Sequence, residues 1–434
     1  MISRFLDRLF HLTTHHTSIR QELVGGVTTF LTMVYIVVIN PTILQAAGMD
    51  LGSTFVATCL VAAAGSLLMG FLANYPIAIA SGMGLNAYFS YIIVKHLGFS
   101  WQSALGLVFV SGILFLLATL SRFRQRAIEA IPPSLIAAIS AGLGLFLAII
   151  ALQSGDILVA DPMTFATLGN IASLPAVLFF MCFYLIIALE RFEVPGAMII
   201  SIVITTCLGI LLRVSQYHGI VSMPPNALST FMKIDLTSTF HQEGFMIIFT
   251  FFLISFFDST GTLVGLLQQS DLKDRPEYAR NISRGMLVDS LATILGALLG
   301  TSTTTPYIES ATGIRAGGKT GLTSITVGIL FLFTLFLSPL AQTIPAYATS
   351  PALLFVACLM LKQVAKIHWD SFTDAIPSAM TLILIPLTYS IALGVGFGFI
   401  SYTIIKILSG KIRELNGILI GLAIMFVIYL ALKP

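Results

Sequence analysis

The sequence predicts an all-α polytopic membrane protein of about fourteen spanning segments, each needing roughly 20 apolar residues. Two observations carry that expectation. The 434 residues are 57% hydrophobic and only 9% charged, and their mean hydropathy is +0.97. A soluble domain carries about 25% charged residues, so a water-facing surface cannot be built from this composition. The apolar runs are also long and continuous, whereas a membrane β-barrel would show alternating segments of about ten residues.

The elements follow in order. The chain opens with a polar, amphipathic stretch ending at Gln21, with no short apolar core and cleavage site, so no removable leader is expected. The first apolar run, 23–45, carries Thr28, Thr29 and Thr32 as a hydroxyl stripe. Hydroxyls in membrane helices usually bond back to their own backbone. Run 52–73 follows. Run 76–94 is interrupted by the small, polar stretch Ala80-Ser81-Gly82-Met83-Gly84-Leu85-Asn86-Ala87. Runs 101–120, 131–152, 171–189 and 194–212 come next, the last two parted at Val194-Pro195-Gly196. Later runs lie at 245–268, 285–300, 303–314, 320–341, 346–361, 376–391 and 394–408. The short one at 303–314 belongs to a second interrupted stretch, Thr301-Ser302-Thr303-Thr304-Thr305-Pro306-Tyr307-Ile308-Glu309-Ser310. A last apolar segment, 415–432, either crosses or lies along the membrane.

Charge placement orients the runs, because Lys and Arg collect in cytoplasmic loops. With the N-terminus inside, Arg4, Arg8 and Arg20 fall inside, followed by Arg122, Arg124 and Arg126, then Arg191. Lys273, Arg275, Arg280 and Arg284 come next, then Arg315 and Lys319, Lys362 and Lys366, and finally Lys411 and Arg413. The outside loop 153–170 has no Lys or Arg, and 214–244 has only Lys233. Interrupted segments at matching places in two halves are the best sequence pointer to a transporter site.

The chemistry-bearing residues are acids. Asp258, Asp289 and Glu309 lie inside apolar runs with no Lys or Arg at the same depth. An acid at that depth faces a cavity, a partner or a path rather than lipid. Without a cation they must hold protons, accept hydrogen bonds from a neutral or cationic solute, or both. Around Asp258, helical spacing puts Ser255, Asp258 and Thr262 on one face, which predicts a carboxylate supported by two hydroxyls. Glu309 sits where an extended piece feeds a short helix, whose free backbone N–H groups are expected to face a solute. Asn86 offers a donor and an acceptor beside Gly82 and Gly84. Asp289 reads equally as a structural anchor or a proton relay. Phe30, Tyr88 and Tyr307 read first as packing.

Other chemistries are not signalled. The seven His and four Cys residues show no metal-ligand spacing, and no nucleophile–base pair or phosphate loop appears. No enzyme activity, cofactor or metal is expected. An anion or carboxylate transporter would want a basic group where Glu309 stands, and a channel would want a continuous polar stripe through several helices.

The residues also resemble a known family. Gly25-Gly26-Val27-Thr28-Thr29-Phe30-Leu31-Thr32-Met33-Val34-Tyr35, Asn40-Pro41 and Ala47-Gly48-Met49-Asp50 look like the opening of AzgA-like purine permeases. So do Gly82-Met83-Gly84-Leu85-Asn86-Ala87, Phe257-Asp258-Ser259-Thr260-Gly261-Thr262-Leu263, Gly300-Thr301-Ser302 and Tyr307-Ile308-Glu309-Ser310. The resemblance spans about residues 20–410 and implies the seven-plus-seven inverted-repeat fold of the nucleobase/ascorbate transporters. It implies a cytoplasmic N-terminal segment (1–22), a core domain (23–120 and 245–341), a gate domain (131–213 and 346–408) and the extra segment 415–432. Short strands in the third and tenth segments would meet near mid-membrane. It implies proton-coupled uptake of adenine, guanine or hypoxanthine across the cell inner membrane. Asp258 and Glu309 would bind substrate and serve in proton coupling, Asn86 would take part in recognition, and Asp289 would be linked to transport. Thr29, Thr262, Ile308 and Ser310 complete the implied substrate site. Where many members carry another acid one turn before Asp258, this chain has Ser255. The expected partners are a purine nucleobase, protons, the lipid bilayer and a second copy in a homodimer, with no nucleic acid.

Overall fold

Small polar residues set where the helices begin. In the computed structural model, which describes residues 2–121, 131–161, 165–237, 242–268 and 278–432, side-chain oxygens cap several helix starts. Ser18 accepts from the backbone of Gln21, Asp50 from Ser53, Ser100 from Ser103, and Ser390 from Leu393. Such caps satisfy N–H groups that a helix leaves without partners.

The helices run in order as α1 (Ile2–Phe10), α2 (Ile19–Met33), α3 (Ile36–Gln45) and α4 (Leu51–Leu68), which continues through a π-helical turn at Met69–Ala73. The first interrupted stretch is strand β1 (Ile79–Ser81), then α5 (Met83–Ala87) and a π-helical run Tyr88–His96. Next come α6 (Trp101–Leu120), α7 (Pro133–Ser154), a hairpin of β2 (Leu158–Asp161) and β3 (Phe165–Leu168), α8 (Leu174–Arg191) and α9 (Ala197–Leu211). The later part has α10 (Gln242–Gln268), α11 (Tyr278–Leu299), β4 (Thr304–Pro306) and α12 (Ser310–Arg315). It closes with α13 (Gly321–Thr334), α14 (Ser338–Thr343), α15 (Ala346–Leu361), α16 (Phe372–Leu387), α17 (Ile391–Leu408) and α18 (Gly417–Leu432).

Among the described residues, ten helices are long and apolar enough to cross a membrane, and three shorter ones are also apolar. The protein is thus a multi-pass helical membrane protein. Two details differ from the sequence expectation. The run 23–45 is broken at Val34-Tyr35 between α2 and α3. The loop 153–170 holds the β2–β3 hairpin, so the chain is not purely helical. Val159, Phe165 and Thr167 are of types that favour strands, but each strand has only four residues, too short to stand out beside the long apolar runs. The loop cations Arg122, Arg124, Arg126, Lys273 and Arg275, expected from the sequence to be cytoplasmic, and His241 lie outside the described residues.

The helices pack through glycine. A methyl group on Gly70 would lie 2.6 Å from the Gly321 carbonyl, and one on Gly26 would lie 2.5 Å from Thr326 Cβ. Those absent side chains let α2, α4 and α13 approach backbone to backbone, which is how membrane helices gain dispersion energy without a hydrophobic driving force. At the far end of the chain, Lys406 of α17 is buried and bonds Glu414 at 2.5 Å and Asp374 at 3.5 Å. That cluster ties α16, α17 and the turn before α18 together. Phe426 of α18 stacks on Phe399 of α17, with centroids 6.0 Å apart.

Candidate functional site

The two interrupted stretches meet. β1 and β4 pair antiparallel, with Ile79 opposite Pro306, Ala80 opposite Thr305 and Ser81 opposite Thr304. Gly82 N–H donates to Thr303 O and Tyr307 N–H to Ala78 O, each at 2.9 Å. The Tyr307 hydroxyl closes the pair by donating to Ser81 O at 2.6 Å. Backbone that leaves the helix in a membrane protein must find such partners, because lipid offers none.

A cavity of about 170 Å³ opens beside this pair. Gly82, Gly84, Thr305, Tyr307, Ile308 and Glu309 form one wall, with Ile254, Asp258 and Thr262 of α10. Ser140 and Leu143 of α7 and Val356, Leu359 and Met360 of α15 form the facing wall, with Gln363 just beyond. The space is many times the 10–15 Å³ that one water needs. Asp258 accepts from the Thr305 hydroxyl at 3.0 Å, and Glu309 accepts from the Tyr35 hydroxyl at 2.6 Å. Neither acid has an ion-pair partner among the described residues. Each carboxylate therefore has oxygen lone pairs left over for a ligand. Nothing in this wall offers the clustered ligands of a metal site among the described residues.

The expected site residues divide into two sets. Asp258, Glu309, Thr262 and Ile308 line the cavity. Asn86, Asp289, Thr29 and Ser310 do not; all four are fully buried behind it. Asn86 donates to the Asn40 side-chain oxygen, and Asn40 donates to Thr58 at 2.8 Å and Thr301 at 2.9 Å. Asp289 accepts from the hydroxyls of Ser259 and, at 2.8 Å, Thr304. These bonds link β4 to α10 and α11. Ser310 Oγ accepts from Ala78 N–H at 3.0 Å, and Thr29 is packed against Gly313 of α12.

One expectation is corrected. Ser255 does not support Asp258: its hydroxyl is buried without a hydrogen-bond partner among the described residues. The wetted face of α10 runs Ile254, Asp258, Thr262, at strict four-residue spacing, and Ser255 turns about 100° away from it. At the α12 start, Ser310, Ala311 and Thr312 N–H bond the carbonyls of Tyr307, Ile308 and Glu309. Thr32, as expected of its stripe, donates back to Thr29 O at 2.8 Å.

Sequence reasoning missed Tyr35, Ser140 and Gln363. Tyr35 had one available signal, a hydroxylated aromatic at the point where the first apolar run breaks. Ser140 and Gln363 had none, being ordinary residues brought in by packing.

The profile of the Xan_ur_permease family, described as a permease family, matches residues 20–401. The chain is 41% identical over 423 residues to the adenine permease AdeP of Escherichia coli, covering 98% of this chain and 95% of that one. It is 41% identical over 425 residues to the guanine/hypoxanthine permease PbuG of Bacillus subtilis, covering 95% and 96%. In fold it is similar to the transmembrane domain of the cyanobacterial bicarbonate transporter BicA, with a TM-score of 0.67 at 15% identity, over 87% of this chain and 97% of that domain.

Proposed function

We propose, from the premise that this chain belongs to the Xan_ur_permease family of permeases, that it takes up purine nucleobases together with protons by alternating access. One observation carries the reading: Asp258 and Glu309 share a cavity whose lining includes no Lys or Arg. Purines are planar, uncharged and edged with N–H donors and ring-nitrogen acceptors. A carboxylate accepts from the first, and a protonated carboxyl donates to the second. One acid can thus bind substrate and carry the proton that accompanies it. The permease relatives named for adenine, guanine and hypoxanthine support the substrate class. An anionic substrate would meet two carboxylates without a counter-charge, so the fold likeness to a bicarbonate transporter does not favour one.

In this reading the cavity lies between the core domain (23–120 and 245–341) and the gate domain (131–213 and 346–408), whose relative motion exposes it to each face in turn. The wall composition supports that division, since Asp258 and Glu309 come from one set of segments and Ser140, Val356 and Met360 from the other. The chain sits in the cell inner membrane with its N-terminus in the cytoplasm, which the placement of Lys and Arg supports.

The test is uptake in cells lacking their own purine permeases. Labelled adenine and hypoxanthine should accumulate, compete with each other and be indifferent to uracil. Accumulation should collapse with the proton gradient. Asp258→Asn should reach the membrane yet fail to accumulate purine. Normal accumulation by that variant would remove the proton role.

A further inference from the structure

A second cavity, of about 280 Å³, lies elsewhere along the seam between α3 and α15. Val37, Val38, Pro41, Thr42 and Gln45 of α3 form one side. Ser338 and Gln342 of α14, with Ala346 at the start of α15, form another. Val37, Val38, Pro41 and Ser338 are buried, whereas Gln45, Gln342 and Ala346 are exposed. The cavity is therefore a pit with a closed floor and an open rim. No residue lining it is charged.

The two cavities stand at opposite ends of α15. That helix meets the pit at Ala346 and the acid-lined cavity at Val356, Leu359 and Met360. Tyr347 to Leu353, between them, are all buried. On the facing helix, Val37 and Val38 floor the pit, while Tyr35, two residues before Val37, donates to Glu309 of the acid-lined cavity. Between the two spaces therefore stand Tyr35–Val38 on one side and Tyr347–Leu353 on the other. Gln363 lines the acid cavity and is flanked by Lys362 and Lys366, which puts that cavity toward the cation-rich face. The pit lies toward the other.

We infer that this pit is a receiving site for uncharged, hydrogen-bonding solutes on the outer face, closed off from the acid-lined cavity by Tyr35–Val38 against Tyr347–Leu353. The inference rests on the transporter reading above. Its chemistry is that of the rim: the amides of Gln45 and Gln342 and the hydroxyl of Thr42 offer donors and acceptors. The missing charges give ions no advantage over neutral rings. The receiving site would set the rate of approach from outside without contributing to binding at Asp258 and Glu309.

The test attaches a removable block. Thr42→Cys is expressed in cells lacking purine permeases and treated with a membrane-impermeant methanethiosulfonate reagent, beside the unsubstituted chain, whose own Cys207 and Cys358 are exposed. Labelling should lower initial purine uptake at least about tenfold, the equivalent of 1.4 kcal/mol, and a reductant should restore it. The labelled, purified protein should bind purine as the unlabelled one does. Gln342→Cys, on the exposed rim, provides a second attachment point if Thr42→Cys reaches the membrane poorly. Complete labelling with unchanged uptake, or labelling that needs a permeant reagent, would overturn the receiving site while leaving purine binding intact. A wild-type chain that neither binds nor takes up purine would instead bring down the transporter reading, and this inference with it.

Discussion

Tyr35→Phe deletes one oxygen and leaves a buried ring in place, so it isolates the contact that orients Glu309. The hydroxyl donates to Glu309 Oε1 at 2.6 Å and is the one side-chain partner that carboxyl has among the described residues. A hydrogen bond to a charged group contributes about 1.5–3 kcal/mol. Without it, the carboxyl is free to rotate, and an arriving purine must order it. If that whole cost falls on binding, affinity drops about tenfold to one hundred and fiftyfold, at 1.4 kcal/mol per decade. The assay is equilibrium binding of labelled purine to purified protein, alongside thermal unfolding. The expected result is weakened binding with a melting temperature that shifts little, because the ring still fills its space. Unchanged affinity with a lowered melting temperature would refute the reasoning. Tyr35 would then be a structural strut, and Glu309 would not hold the ligand.

Three further outcomes are expected. Gly84 faces open space within the cavity wall, with nothing within 4 Å of an added Cβ; Gly84→Leu should therefore abolish purine binding while leaving the melting temperature unchanged or slightly raised, since Gly in a helix costs about 1 kcal/mol. Asp289→Asn presents an amide N–H₂ to hydroxyls that now donate to a carboxylate; unfolding should show a loss of about 1–3 kcal/mol, and a variant as stable as the parent would end the anchoring role. Lys406→Met strands Asp374 and Glu414, whose side chains are 18% and 51% exposed; a cost of about 1–3 kcal/mol is expected, below the 3–5 of a fully buried pair, with purine binding unaltered.

The helices and the two interruptions were legible because composition and run length act locally. Gly82 and the Thr-rich stretch 301–305 announce backbone that is not helical, whatever surrounds it. Depth behind the wall was not legible. Asn86 and Glu309 look alike in sequence, each the longest polar side chain of a short broken segment, yet Asn86 donates to Asn40 behind the wall while Glu309 faces the cavity. Which neighbour a buried group meets is decided by helix packing across long sequence separations. Ser255 shows the same limit at closer range. Spacings of three and four residues both suggest a shared face, and only the packing of α10 chose four. Ser140 and Gln363 belong to the facing wall, and no local pattern distinguishes them from their neighbours.

The pairing of β1 with β4 has a consequence for how the protein is made. Tyr307 and Ser81, which clasp across that junction, are 226 residues apart in the chain. At about 5–20 residues per second, a ribosome needs roughly 10–45 s to cover that distance. For that interval the earlier strand exists without the later one, and lipid cannot solvate its bare amides. The nascent first half must therefore wait in a sheltered, hydrated place, such as a translocon or a chaperone groove. Messages truncated before codon 304 should yield products that are destroyed rather than stored in the bilayer.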